Sequence, residues 1–71
     1  MKVLLIGSAA REHAIAEVIA KNAELVAAME FKNPGIAKLS SNVHIGRCDN
    51  ANFIKRVAKN EDPDFAVIGP E

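Results

Sequence analysis

The sequence predicts an α/β fold, a parallel sheet of about four strands with helices on both faces. Three observations lead there. Strand-like and helix-like runs alternate along the chain in the order β-α-β-turn-β-α-β. The first run, Lys2–Ile6, is rich in Val, Leu and Ile and stops at Gly7, as a buried parallel strand does. The last run, Phe65–Ile68, is apolar at every position, the pattern of a strand covered on both faces and paired on both edges.

After the first strand the period changes. From Ala10 to Lys21, residues Ala14, Ile15, Val18 and Ile19 mark one helical face, with Glu17 and Lys21 an i,i+4 pair on the polar side. Ser8 is placed to cap this helix. Leu25–Met29 reads as the second strand, although alanine is a poor strand former. Asn33-Pro34-Gly35 is a turn, followed by a short helical turn at Ile36–Leu39. Val43–Ile45 is a weak third strand. Asp49 or Asn50 caps a second clear helix, in which Phe53, Ile54, Val57 and Ala58 face inward. Lys55, Arg56 and Lys59 lie towards its carboxyl end, where cations complement the helix dipole. Asp62-Pro63 ends it, and the fourth strand leads into Gly69-Pro70-Glu71.

The chain has 71 residues, enough for one small domain. Folding at that size buries only about 60% of the unfolded surface. Lone Cys48 supplies no disulfide, and no paired-ligand spacing suggests a structural metal. The fourth strand has only three residues after it, too few for a neighbour on its outer edge. The expectation is therefore an incomplete domain whose polypeptide continues. Alone, it would be marginally stable or would self-associate through that strand. Nine basic and nine acidic side chains balance, without the basic excess of a nucleic-acid binder. The apolar runs are too short for a membrane span, and Arg11 and Glu12 interrupt any signal-peptide core. A cytoplasmic protein is expected.

The strand–Gly7-Ser8-Ala9-Ala10–helix junction has the layout of a phosphate-binding turn, because free N–H groups at a helix start attract anions. The dinucleotide fingerprint asks for glycine where Ala9 and Glu12 stand, so a single phosphate monoester fits better than a pyrophosphate. The bland reading is a plain tight turn. Arg11 is placed for a bidentate contact to a phosphate. Glu12 suits the dipole whatever its function. His13 is either functional or a hydrogen-bonded, partly buried ring. His44 reads as a strand residue and Cys48 as an inert thiol; neither histidine has a metal-ligand partner at helical spacing.

Lys2-Val3-Leu4-Leu5-Ile6-Gly7 leading into Arg11-Glu12-His13-Ala14, then Asn33-Pro34-Gly35-Ile36-Ala37, then Asp64, Val67-Ile68 and Gly69-Pro70-Glu71, resemble the N-terminal domain of the phosphoribosylamine–glycine ligases, or glycinamide ribonucleotide synthetases. The departure is Ser8-Ala9-Ala10, where that family has a glycine-rich turn. The resemblance implies a Rossmann-like, pre-ATP-grasp domain of a ligase. Such an enzyme phosphorylates glycine with ATP and Mg2+ (or Mn2+), and the amine of phosphoribosylamine attacks the acyl phosphate. ATP and metal would bind in ATP-grasp and C-terminal domains outside residues 1–71, leaving this piece inactive alone. The implied partners are phosphoribosylamine, glycine and the remainder of its own chain, with no nucleic acid or membrane. Gly7, Ser8, Ala9, Ala10 and Arg11 would flank the phosphoribosyl group, beside Glu12 and His13. Asn33, Pro34 and Gly35 would form a second wall, and Glu71 would accept from ribose hydroxyls or the amine. No catalytic acid or base and no metal ligand is assigned here.

Two other classes compete. In a nicotinamide-dependent oxidoreductase, Glu30 would stand where an acid binds ribose, though the broken glycine pattern opposes it. A non-enzymatic α/β signalling module would want paired acids after the first strand and an Asp ending the third. Gly7-Ser8 and Gly46-Arg47 stand there instead.

Overall fold

The computed structural model describes the backbone of residues 1–7 and 10–68, and the side chains of residues 1–7 and 13–68. Four strands, β1 (Lys2–Ile6), β2 (Glu24–Met29), β3 (Asn42–Ile45) and β4 (Phe65–Ile68), alternate with α1 (Ala10–Asn22), α2 (Pro34–Leu39) and α3 (Ala51–Glu61). All strands are parallel, in the order β3-β2-β1-β4. Leu4 lies opposite Val26 on one side and Ala66 on the other.

Alternation of side chains divides the core into two layers. Leu5, Leu25, Ala27 and Met29 face α1 and α2, whose Ala16 and Ile36 are fully buried against them. Leu4, Ile6, Val26 and Ala28 face α3 and bury Val57, with Phe53, Ile54 and Cys48 packed alongside. Helices thus cover both faces, as the sequence predicts.

The helix ends have local causes. Asn50 caps α3, its side chain accepting from the N–H groups of Asn52 and Phe53 at 2.9 and 3.2 Å. Of the two candidate caps it is the one used, while Asp49 pairs with Arg47 at 3.1 Å on the surface. Asp62 closes α3 in the left-handed conformation, φ 47°, and Pro63 cannot continue the helix. The proposed Ser8 cap falls outside the described residues.

Two expectations are corrected. The inward stripe of α1 is not Ala14-Ile15-Val18-Ile19. Ile15, Ala16, Ile19 and Ala20 meet the core, while Val18 is 63% exposed. The stripe is turned because α1 packs sideways against α2 as well as down onto the sheet, and small Ala16 permits the close approach. Glu17 meets His13 at 3.5 Å rather than forming the expected pair with Lys21, since both spacings are available to it on a helix. At the other end of the sheet β4 is an edge strand: among the described residues it pairs only with β1, and Phe65 and Ile68 are 59% and 77% exposed.

Candidate functional site

Because the strands are parallel, every strand-to-helix loop emerges at one edge of the sheet. The order β3-β2-β1-β4 places a reversal of chain direction between β1 and β4. From β1 the chain moves outward through β2 to β3, then returns across the other face by α3 to reach β4. In open α/β sheets such a switch point, at the carboxyl ends of the strands, is where ligands generally bind; here the turns after β1 and β2 lie at that edge.

Gly7 begins the first wall. It is buried, has φ 140°, a conformation side chains rarely adopt, and donates its N–H to the Ala28 carbonyl at 2.9 Å. Ala10, Arg11 and Glu12 then form the opening turn of α1. A 13-residue helix thus starts at this edge, with the unpaired N–H groups of any helix start. Ser8, Ala9 and Glu71 lie outside the described residues, as do the side chains of Ala10, Arg11 and Glu12.

The second wall is built by its own hydrogen bonds. The Asn33 side-chain oxygen accepts from Gly35 and Ile36 N–H at 3.0 and 3.2 Å, and the Asn33 N–H meets Met29 Sδ at 3.1 Å. Pro34 occupies the first helical position, where its missing N–H is harmless. Gly35 lies directly beneath His13: a Cβ built on it would fall 2.6 Å from His13 Cε1 and 2.7 Å from Nε2. The two sequence motifs most suggestive of function, Arg11-Glu12-His13 and Asn33-Pro34-Gly35, therefore touch. Below this contact runs an open groove of about 540 Å3 between α1 and α2, floored by Ala20 and Leu39, with Lys21 and Lys38 at its rim.

The sequence reading passed over a polar cluster involving the opposite, amino edge. The Glu61 carboxylate, 11% exposed, lies 2.6 Å from His44 Nε2, accepts from Asn42 Nδ2 at 2.5 Å, and has Lys2 Nζ at 3.5 Å. The His44 hydrogen bond, then that of Asn42 and the charges of His44 and Lys2, hold Glu61 below its usual pKa of 4.5 against the opposing effect of burial. Alternation along β3 puts Asn42 and His44 on one face. That α3 ends over that face is not visible without the strand order. Cys48 Sγ lies 3.7 Å from the Ala28 carbonyl, in the α3 layer. Among the described residues no three His, Cys, Asp or Glu side chains are grouped to hold a metal ion.

A four-stranded parallel sheet wound in both directions from its first strand, with Gly7 and a helix start following that strand, defines a Rossmann-like α/β fold. Residues 1–71 match the family model described as Phosphoribosylglycinamide synthetase, N domain, and the chain belongs to that family. It is 48% identical over 73 aligned positions to a phosphoribosylamine--glycine ligase of Methanocaldococcus jannaschii. It is 44% identical over 71 to that of Methanosphaera stadtmanae, and 51% over 73 to that of Methanococcus maripaludis. Each comparison covers all of this chain and 16% of the relative, so the chain spans about one sixth of their length.

Proposed function

We propose that the chain is the N-terminal substrate-binding segment of an ATP-dependent carboxylate–amine ligase. The ligase joins glycine to 5-phosphoribosylamine, giving glycinamide ribonucleotide, ADP and phosphate in de novo purine biosynthesis. The observation that carries this reading is the family match over the full chain, and the contact between His13 and the Asn33–Gly35 turn at the carboxyl edge of the sheet supports a site there. In it, Gly7, Ser8, Ala9, Ala10 and Arg11 flank the phosphoribosyl group, with the N–H groups of the first α1 turn directed at the anion. Asn33, Pro34 and Gly35 form the facing wall. The Asn33 oxygen is engaged in capping α2, so its contribution is to fix that turn. Glu71 accepts hydrogen bonds from ribose hydroxyls or the amine.

Residues 1–71 are on this reading an incomplete domain, and the ATP-grasp and C-terminal domains belong to the rest of the polypeptide. On the same reading, ATP and its Mg2+ or Mn2+ bind in those later domains. The balanced charge supports small-molecule rather than nucleic-acid partners, and the reading places the enzyme in the cytoplasm. No helix is long and apolar enough to cross a membrane among the described residues. The remainder of the chain is itself a partner, for which the unpaired edge of β4 and exposed Phe65 and Ile68 are suited. The nicotinamide alternative has Glu30, exposed just beyond β2, in its favour, but not the family match.

The test is turnover by the full-length polypeptide with phosphoribosylamine, glycine, ATP and Mg2+. ADP release dependent on both glycine and the amine is expected. Arg11→Ala should raise the KM for phosphoribosylamine by roughly 10–100-fold, the loss of a charge-assisted phosphate contact. A folded full-length protein without turnover overturns the reading.

A further inference from the structure

The two walls of the candidate site are joined by a contact that neither motif requires by itself. His13 sits in the second half of the first α1 turn, and its imidazole edge, with Cε1 between the two nitrogens, rests on Gly35 at the start of α2. The space is fully taken, since any Cβ at residue 35 would lie 2.6, 2.7 and 3.2 Å from ring atoms of His13. The same ring nitrogen, Nε2, also lies 3.5 Å from Glu17 Oε1, one helical turn further along α1. Gly35 is in turn immobilised, because its N–H is donated to the Asn33 cap at 3.0 Å.

A helix is stiff over one turn, so the seat of residue 13 determines how high and at what rotation residues 10–12 present their main-chain N–H groups. We infer that His13 is a positioning residue: its imidazole, seated on Gly35, sets the separation between the first turn of α1 and the Asn33–Gly35 turn, and thereby the fit of the phosphoribosyl group. This inference rests on the ligase reading above and replaces direct substrate contact as the role of His13. It gives a reason for glycine at position 35 independent of backbone conformation: the position must be empty for the ring to lie there. The relevant chemistry is shape, because a ligand held by main-chain N–H groups loses affinity steeply when those groups are displaced.

The experiment uses the full-length polypeptide and its steady-state kinetics, with phosphoribosylamine generated in situ. Gly35→Ala pushes the ring from its seat, and His13→Ala removes it. Each is expected to raise the KM for phosphoribosylamine roughly tenfold while leaving the KM for glycine and for ATP within about twofold. The double variant should be no worse than His13→Ala alone, because the added methyl then fills vacated space and the two effects are coupled. His13→Phe, which keeps a flat ring edge but neither nitrogen, should recover most of the loss. Multiplying effects in the double variant, failure of Phe to rescue, or KM values unchanged in both single variants would each overturn the positioning role while leaving an active wild-type ligase in place. A wild type that does not turn over overturns the ligase reading first, and the inference with it.

Discussion

Glu61 is the most heavily engaged ionised side chain among the described residues, drawing together Lys2 of β1, Asn42 and His44 of β3, and the end of its own helix. Lys2 Nζ also donates to the Glu61 main-chain carbonyl at 2.9 Å. The clasp therefore ties the edge strand β3 and α3 to the central strand. Glu61→Ala would leave His44 and Asn42 without their acceptor, a loss of about 2 kcal/mol, measurable as a lowered urea midpoint. The pH dependence has a definite sign. The folded-state pKa lies below the usual 4.5, so the stabilisation is fully present above that value and is lost as pH falls through the lowered one. Melting temperatures between about pH 7 and about pH 3 should fall more steeply for the wild type than for Glu61→Gln; parallel curves would show that the clasp contributes nothing. None of this was readable from residue spacing, because Lys2, Asn42 and Glu61 are far apart in sequence and meet only once the strand order is known. Gly7 was readable, since it ends a strand where a positive φ has a local use, and Gly35 was readable only as part of an Asn-Pro-Gly turn, its clash-free place beneath His13 being tertiary.

At the level of single elements, the strands and helices follow the pattern of the sequence closely, and the differences have one source. Strand β1 is bounded by Gly7, and α3 begins at Asn50 and stops at Asp62-Pro63, all local signals that need no tertiary knowledge. The face of α1 is another matter. In an alanine-rich helix a stripe one residue to either side is equally apolar, and only the sheet below and α2 beside it decide which alanine is buried. The turned stripe predicts unequal responses. Val18→Glu should change the stability of this chain by less than about 0.5 kcal/mol, whereas Ala16→Leu, with no free space around it, should destabilise by roughly 1–3 kcal/mol. Equal effects in thermal melts would restore the expected stripe. Removing the α3 cap by Asn50→Ala should cost about 1 kcal/mol, seen as a lower denaturation midpoint with an unchanged slope.

Over the whole molecule, β4 is the least covered strand among the described residues. Its sequence suits a strand enclosed on all sides, yet among the described residues one edge is unpaired and Phe65, Ala66 and Ile68 are exposed. Such an edge invites pairing with another chain. The 71-residue chain alone should show concentration-dependent self-association by sedimentation. Ile68→Lys should suppress it, as charge on an edge strand does. A cooperative melt of a monomer at every concentration would count against this. That β4 would be apolar throughout was legible in the sequence, as was the carboxyl-edge location of both motifs. What was not legible was that His13 meets Gly35, because helix-to-helix contacts depend on how α1 is turned. The strand order has one further consequence. Strand β1 is synthesised before its neighbour β2, and its other neighbour, β4, is the last of the four strands to be made. During that interval β1 can zip only to β2, and its other edge, with Val3, Leu4, Leu5 and Ile6, stays open on the nascent chain. Translation speed across this short stretch, and any chaperone that shields such an edge, thereby become part of how the protein reaches its fold.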